Sequence, residues 1–469
     1  MHNTIKIALF TPVSPVRSGL VDHIESLLPA LLQHLDITVV TDGSYEPSSP
    51  LFVGGGRSQI PWITYQDFGQ APERFDLVIY QLGNEPNIHG YMFDAIHRYP
   101  GILILHDLVL HHAIAELTLS RGRADEYRAE IRYSYGARGD ELVQQVMAGR
   151  EREIFARYPL IERILDSSLG VITSNGYMTR YVKKARPALP VCHIPLHLCL
   201  PDDLPTEQEV LAYRRRLGLN DKRIIGTTGL YNPNNRLDIA LRAFARVIAR
   251  HPDVVYLLVG APQDESALRA RIASLGLNEH VRMTGWVPAD EFVKSMLLLD
   301  IGVQLRYPHV GGMSYPPLHL MALGVPVIIS DIEPMMDIPA NAVIRIPPNH
   351  PDEETLLFSA IDRLLSDPAS GKELAENGHA FISEQHNSSA IVKQFVSFIR
   401  QVDERQSELV RNIAERRRTV SAINNPLRER LVQLAGAALA DLGTPTNRED
   451  LLAPIAEMIA GLIGDNGEK

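Results

Sequence analysis

Apolar runs alternate with amphipathic segments through the first half of the chain. Short continuous apolar runs are typical of parallel strands covered on both faces. They predict strands at 5–10, 37–42, 77–81, 101–107, 169–175 and 191–198. After the first run, Leu20, Ile24, Leu27 and Leu28 share one face of a predicted helix. Strands that alternate with helices predict a doubly wound parallel sheet.

The same rhythm restarts after a Pro- and Asp-rich linker at 201–206. Strands are predicted at 223–231, 254–261, 281–287, 301–305 and 342–348, with helices at 237–250 and 265–275. We therefore predict an α/β protein of two Rossmann-like domains, at 1–204 and 205–388, facing each other across a cleft. A closing helix at 389–402 and a helical extension at 403–469, broken at Pro426 and Pro445, would follow. Ligands should bind at the carboxyl ends of the strands.

One stretch of the second half, 311–331, joins a small-residue loop to a short helix, a glycine turn and a buried strand. Gly312 and Ser314 lie in the loop, Pro316 suits the first helical turn, and Gly324 ends the helix. The first amides of a helix have no partner within it, so they can bind an anion. A phosphate or diphosphate is the predicted ligand. An ordinary loop, helix and strand unit is the alternative.

The net charge and the hydropathy of the chain argue against some classes of partner and cellular location. The chain has 469 residues, 45% of them hydrophobic, and a net charge of -10. This balance argues against nucleic acid as a partner. The sequence has no apolar run as long as a membrane span and no signal peptide pattern. We expect a cytoplasmic protein, with room for a peripheral contact at the inner face of the membrane.

Two groups of residues contain side chains that can bind a metal or form a disulfide. Cys192 and Cys199 are too few for a disulfide framework or a zinc site, so buried thiols are expected. A His/Asp cluster follows one predicted strand, at His106, Asp107, His111 and His112. Neighbouring ligands on one short segment rarely converge on one ion, and Asp107 suits a helix cap. We expect no metal and no cofactor.

Several blocks together carry a resemblance to a known family. They are TPVSPVRSGLVDHIESLLPAL, DLVIYQLGNEPNIHGYMFD, PGILILHDLVLHH, GLYNPNNRLDIALRAF, GWVPADEFVKSMLLLDIGVQL and the 311–331 stretch. In this order they resemble the GT-B retaining glycosyltransferases (glycosyl transferase group 1, family 4-like) over most of 1–402. The resemblance implies that 1–204 binds a glycan or glycolipid acceptor and that 205–388 binds a nucleotide-sugar donor.

The resemblance also implies roles for individual residues. His106 would face the donor sugar as the catalytic residue; a strand-end histidine bonded to a carbonyl is the alternative. The implied donor-binding residues are Gly19, Gly229, Arg236, Thr284, Trp286, Gly312, Met313, Ser314, Tyr315 and His319. Their positions, and not the resemblance, indicate Arg17, Asn84, His89 and His111 as acceptor-binding residues, since they follow the ends of predicted strands; for His111 a polar helix face is the alternative. For Gly19 a plain turn, and for Trp286 a buried indole, are the competing interpretations.

The chain departs from the family pattern at its most characteristic positions. The family's paired glutamates align with Gly311 and His319, and its diphosphate-binding Arg and Lys align with Leu230 and Asn235. His319 could still bond a ribose through a ring nitrogen. Arg236 is the nearest replacement cation in the sequence. Losing one electrostatic donor typically costs ~10²–10³ in rate, so the departures bear directly on activity.

Three functions remain open from the sequence. The first is a retaining glycosyltransferase in the assembly of a polysaccharide or other glycoconjugate, with Arg306 and the amides of 312–315 recovering part of the lost charge stabilisation. The second is a catalytically degenerate scaffold or partner subunit. The third, a sugar-nucleotide epimerase, has little support. The extension at 403–469 could mediate a homo-oligomer or bind a partner chain.

Overall fold

The computed structural model describes residues 4–53, 59–198, 200–201 and 203–423. Its strands are β1 (Lys6–Phe10), β2 (Asp36–Thr41), β3 (Trp62–Thr64), β4 (Leu77–Leu82), β5 (Gly101–Leu105), β6 (Ser168–Thr173), β7 (Val191–His193), β8 (Arg223–Thr228), β9 (Val254–Val259), β10 (Val281–Gly285), β11 (Ile301–Gln304), β12 (Val327–Ser330) and β13 (Ile344–Ile346).

Helices connect these strands. They are α1 (Gly19–Leu31), α2 (Tyr65–Gln70), α3 (Pro86–Arg98), α4 (His111–Thr118), α5 (Ala124–Tyr135), α6 (Arg138–Gln145), α7 (Glu151–Arg157), α8 (Glu162–Leu165), α9 (Gly176–Ala185), α10 (Glu207–Arg216), α11 (Leu237–Ile248), α12 (Glu265–Ser274), α13 (Ala289–Leu297), α14 (Tyr315–Ala322), α15 (Glu353–Ser366), α16 (Pro368–Gln385), α17 (Ser388–Glu404) and α18 (Gln406–Ile423).

The strands form two sheets, which confirms the predicted α/β class. One has the order β3-β2-β1-β4-β5-β6-β7 and the other the order β10-β9-β8-β11-β12-β13. The pairings are parallel; Lys6 lies opposite Asp36, for example, and Arg223 lies opposite Val254. In the second sheet the chain runs outward from β8 to β10 and then returns to β11 beside β8. Ligands bind where the strand order reverses in this way.

Contacts divide the chain into two compact units. The first comprises 1–76, 172–184 and 191–399, and the second comprises 77–171, 185–190 and 400–469. The boundaries of these units differ from the domain boundaries expected from the sequence. The boundaries after 204, 388 and 402 therefore stay predictions.

Alternating apolar residues give the six-stranded sheet a core on each face. Ile225 and Tyr256 pack with Phe244 of α11 on one face. Ile224 and Leu257 belong to the cluster on the opposite face. Burying each such side chain stabilises the fold by roughly 1.5–3 kcal/mol. These two layers fix the carboxyl ends of β8, β11 and β12, where the site described below lies.

Two differences from the sequence predictions have local causes. The strand predicted at 191–198 ends at His193, because Pro195 lacks the N–H that a sheet ladder needs. Helix α10 was not predicted, although Thr206 and Glu209 form a capping box at its start. Its polar sequence has no apolar pattern from which a helix could be predicted.

Some expectations concern residues outside the description. The breaks at Pro426 and Pro445 and the thiol of Cys199 lie there. Cys192 is a half-buried free thiol. Within the described ranges, no helix combines the length and the apolar character needed to cross a membrane.

Candidate functional site

A pocket opens at the carboxyl ends of β8, β11 and β12, with about 380 Å³ of empty space that includes open solvent. It lies at the reversal of strand order between β8 and β11. Its lining residues are Thr228, Gly229, Leu230, Asn235, Gln304, Leu305, Arg306, Ser314, Pro316, Ser330, Ile332 and Met335.

Short polar side chains and one cation form the wall of this pocket. Gln304 Nε2 donates to Thr228 Oγ1 at 3.0 Å. The backbone N–H of Arg306 donates to Ser330 Oγ at 2.9 Å. Asn235 Oδ1 accepts from the Asn232 amide at 2.8 Å. Arg306 is the charged residue among the described residues that line the pocket, so the site favours an anion.

Glycines allow the backbone to come close at this edge of the sheet. Gly229 has a φ of +118° and Gly260 a φ of +125°, which side chains rarely adopt. A Cβ on Gly260 would stand 1.9 Å from the Gly229 carbonyl oxygen. A Cβ on Gly229 would stand 3.4 Å from Cγ of Pro316. The predicted donor residue Gly229 thus lies between the backbone of Gly260 and the ring of Pro316.

Helix α14 begins at the pocket, as the loop and helix pattern predicted. Ser314 is its N-cap residue, and its side chain makes no capping hydrogen bond. Pro316 and Pro317 supply no N–H, so an anion at this end would meet the amides that precede them. Met313 and Gly312 are half-buried in the loop before the helix. Of the donor residues predicted here, Ser314 lines the pocket.

His319 and Tyr315 lie one above the other on α14. Their ring centroids are 5.9 Å apart. His319 Nε2 is buried and has no hydrogen-bond partner among the described residues, and burial lowers the pKa of His319 to about 4. The Tyr315 ring is 5.8 Å from the ring of His23, and a Cβ on Gly19 would lie 3.8 Å from Tyr315 Cδ2. His319 is therefore neutral and outside the pocket lining; its predicted ribose contact stays a prediction.

Arg236, the expected replacement cation, is engaged elsewhere. Its Nε donates to Glu353 Oε1 at 2.7 Å, and its Nη2 pairs with Glu353 Oε2. Glu353 also accepts from the Asn349 amide at 2.8 Å. The pair fixes the turn before α11, where Arg236 has a φ of +52°. In this arrangement Arg236 neutralises a protein carboxylate; its predicted role with the donor stays untested.

The other predicted residues of this unit lie at the ends of β10 and α1. The Arg17 guanidinium carbon is 5.1 Å from the centroid of the Trp286 ring, and the indole is 54% exposed. Thr284 Oγ1 donates to the Gly285 carbonyl at 2.9 Å. Trp286 is therefore not a buried core indole but an exposed ring covered by a cation.

The second unit carries a histidine cluster at the ends of β4 and β5. Gln81 Nε2 lies 3.0 Å from His106 Nε2. His89, which is 1% exposed, bonds the Gln81 carbonyl, and burial lowers the pKa of His89 to about 4. Asn84 donates its amide to Asp107 Oδ2 at 2.9 Å, and its Oδ1 accepts from the Ala113 amide at 2.9 Å. His106, Asn84 and His89 therefore belong to one polar network.

His111 is held within the same unit by two partners. Its Nδ1 is 2.6 Å from the Tyr158 carbonyl oxygen, and its Nε2 is 2.7 Å from the Tyr127 hydroxyl. Burial lowers the pKa of His111 to about 4. Both ring nitrogens are occupied, so a contact to an acceptor would have to replace one of these bonds. In the described ranges, no group of three His, Cys, Asp or Glu side chains is placed to hold a metal ion.

The sequence analysis missed several residues of these two sites. Thr228, Gln304 and Ser330 each end a strand beside the pocket. Gln81 precedes the last residue of β4. The rule that ligands bind at the carboxyl ends of parallel strands could have indicated all four. No sequence signal could have indicated Glu353, because its contact with Arg236 joins residues far apart in the chain.

Comparisons with known proteins agree with this architecture. Residues 210–381 match the family described as "Glycosyl transferases group 1". The chain is 26% identical over 204 residues to the alpha-D-kanosaminyltransferase of Streptomyces kanamyceticus, which is 43% of this chain and 51% of that protein. It is 24% identical over 168 residues to a GDP-mannose-dependent mannosyltransferase of Mycolicibacterium smegmatis, which acts on phosphatidylinositol monomannoside, covering 35% of this chain and 44% of that protein.

Solved structures match over a larger part of the chain. HepE of Anabaena, crystallised with UDP and glucose, has a TM-score of 0.59 at 16% identity, covering 85% of this chain and 100% of HepE. WaaG, a glycosyltransferase of lipopolysaccharide biosynthesis, has a TM-score of 0.57 at 15% identity, covering 84% of this chain and 99% of WaaG. At these identities the likeness concerns the fold. The sequence matches cover 51% or less of the curated relatives' own length.

Proposed function

We propose that this GT-B protein, whose residues 210–381 match the group 1 glycosyl transferases, transfers a sugar from a nucleotide-diphosphate donor to a glycan or other glycoconjugate acceptor. The observation that carries the proposal is the pocket at the strand reversal, where Arg306 and the start of α14 meet. A departing diphosphate needs positive charge and hydrogen-bond donors at that point.

The donor class follows from the chemistry of the pocket and from the relatives. Arg306 can pair with a phosphate through two N–H groups, and hydroxyls of Thr228, Ser314 and Ser330 can donate to phosphate oxygens. UDP binds to HepE, and GDP-mannose is the donor named for the mycobacterial relative. Both ligands contain a nucleoside diphosphate.

We propose that the transfer retains the anomeric configuration. The described residues that line the pocket include Arg306 and several hydroxyl side chains but no carboxylate, and the proposal therefore does not use a carboxylate nucleophile. The leaving diphosphate would then take the acceptor proton on the same face of the sugar. The protein would position the reactants and stabilise the departing charge.

Calorimetric titration with UDP, GDP and ADP tests the donor site. We expect one of the three to bind with one-to-one stoichiometry. The corresponding nucleotide sugars, incubated with an acceptor panel, should then release the nucleoside diphosphate, and proton NMR of the product should show the donor's anomeric configuration. Absence of binding by all three nucleotides would overturn the proposal.

A degenerate scaffold is the second candidate function. It is favoured by the ion pair of Arg236 with Glu353, which engages the cation expected to replace the family's diphosphate-binding residues, and by the neutral state of His319. Nucleotide binding without release of the sugar, under conditions in which an active relative turns over, would favour this function. Transfer to any acceptor would exclude it.

A further inference from the structure

Gln81 and His106 are brought together by the register of two neighbouring strands. Gln81 of β4 lies opposite Ile104 of β5. His106 follows Ile104 by two residues, and its amide donates to the Leu82 carbonyl at 2.9 Å. Side chains two residues apart on a strand share a face, so Gln81 and His106 form a diagonal pair across the strands.

The chemistry of this contact determines which ring nitrogen carries the proton. A glutamine Nε2 is a donor only, whereas an imidazole nitrogen accepts a hydrogen bond only when it is unprotonated. Gln81 Nε2 stands 3.0 Å from His106 Nε2, and Gln81 is fully buried. With the Gln81 amide in this orientation, the Nε2 atom of His106 is the acceptor, which places its proton on Nδ1. A protonated ring would place an N–H against the amide N–H.

We propose that Gln81 is a positioning residue that holds His106 as the neutral Nδ1–H tautomer, so that His106 serves the transfer as a hydrogen-bond donor and not as a base. This rests on the proposed function for its catalytic meaning, but the tautomer itself is a property of the free protein. A neutral donor suits a sugar hydroxyl, and it leaves the acceptor proton to the departing diphosphate.

The surrounding titratable groups are compatible with a neutral ring. On α3, burial lowers the pKa of His89 to about 4, and on α4 it lowers the pKa of His111 to about 4 and that of His112 in the same direction. After β5, the Asp107 carboxylate accepts the Asn84 amide. These histidines therefore add no positive charge near neutral pH.

Nitrogen NMR of the ligand-free protein labelled with ¹⁵N-histidine tests the tautomer. The His106→Gln variant identifies the signals of His106 by their loss. We expect Nδ1 to show the shift of a protonated nitrogen and Nε2 that of an unprotonated one. A proton on Nε2, or a doubly protonated ring at neutral pH, would overturn the proposal. This measurement needs neither substrate nor activity. A failure of the proposed function can therefore be distinguished from a failure of the proposed tautomer.

Substitution of Gln81 tests the consequence for the reaction. In Gln81→Glu the carboxylate should accept a proton from Nε2, which reverses the tautomer or charges the ring. We expect kcat to fall ~10–100-fold with little change in KM, by analogy with the loss of a hydrogen-bond partner that orients a metal-ligating histidine. The pH profile should gain a new ionisation. Gln81→Met, which cannot bond Nε2, is the control: it should broaden the tautomer signals without a new ionisation. An unchanged tautomer and pH profile in a folded Gln81→Glu protein would count against the proposal.

Discussion

Two regions of the molecule differ in the charge of their polar side chains. They are the pocket at the six-stranded sheet and the histidine cluster of the second unit. The pocket combines one cation, Arg306, with hydroxyl and amide side chains. The cluster contains several histidines, yet burial keeps His89 and His111 neutral at physiological pH. The pocket therefore offers positive charge to an anion, whereas the buried histidines of the cluster make hydrogen bonds as neutral rings.

This difference suggests a division of labour between the two regions. Charge stabilisation of a leaving group requires a cation at the point where the negative charge develops. Orientation of a neutral sugar requires donors and acceptors with fixed directions, and in the cluster the contacts of Gln81 with His106 and of Asn84 with Ala113 fix the directions of polar groups. The two regions should therefore respond differently to pH, to loss of a cation and to loss of a hydrogen bond.

The largest expected effect is acid destabilisation through the neutral histidines. The folded-state pKa of His89 and of His111 is about 4, below the ordinary value of 6.5. The unfolded chain therefore takes up protons first as the pH falls. Their stabilisation is complete above about pH 6.5 and is lost between there and pH 4, at most about 3 kcal/mol for each. Urea unfolding from pH 7.5 to 4.5 measures this loss.

Two variants make the acid test specific. His111→Gln removes one of these titrations while keeping a side chain that can bond Tyr127, so the slope of unfolding free energy against pH should decrease. His350→Gln changes an exposed histidine and should leave the slope unchanged. Equal slopes for wild type and His111→Gln would contradict the neutral cluster.

The next largest effect concerns the ion pair that holds Arg236. The Arg236 side chain is 16% exposed and that of Glu353 is 4% exposed. Removing one partner of a buried pair typically costs 3–5 kcal/mol, because the other charge stays buried and uncompensated. We expect Arg236→Leu to lower the free energy of unfolding by about that amount. Denaturant unfolding measures it.

The double variant Arg236→Met, Glu353→Leu separates a structural role from ligand binding. Replacing both charges with apolar side chains should recover most of the lost stability. If the double variant also retains nucleotide affinity, Arg236 is a structural cation. A stable double variant that no longer binds nucleotide would show that Arg236 leaves Glu353 to bind the donor.

Sequence reasoning predicted the fold better than the site, for a physical reason. The strands and the loop before α14 follow from local apolar runs, glycines and prolines, and each depends on neighbouring residues. The state of Arg236 depends on Glu353, which is brought to it by packing of α15 on α11. The role of Gln81 depends on strand register. Neither contact has a local pattern, so a candidate list based on motifs could include Arg236 and omit Gln81.

The loss of the pocket cation should have a large effect on activity and a small one on stability. Arg306→Gln removes the charge but keeps a polar side chain at the end of β11. We expect kcat to fall ~10²–10³-fold, as for the loss of one electrostatic donor to a transition state. Nucleotide diphosphate affinity should also fall. Calorimetry and steady-state assays measure both effects.

The matched control for this variant is Arg269→Gln. Arg269 is exposed on α12 and pairs with Glu265 one turn away. Such a surface pair contributes about 0.5 kcal/mol or less. Arg269→Gln should therefore leave kcat and nucleotide affinity as in the wild type. Similar losses in both variants would mean that Arg306 acts through the overall charge and not through the pocket.

The smallest expected effect concerns the free energy of the cation–π contact between Arg17 and Trp286. Arg17 lies over the exposed Trp286 ring with no carboxylate partner in the described contacts, at 5.1 Å from the ring centroid. Exposed cation–π contacts contribute about 0.5–1 kcal/mol. A double-mutant cycle with Arg17→Gln and Trp286→Leu should give a coupling free energy of unfolding in that range. A coupling near zero would mean that the two side chains only share a surface. A coupling that appears in nucleotide binding, and not in unfolding, would instead indicate that Arg17 contributes to anion binding together with Arg306.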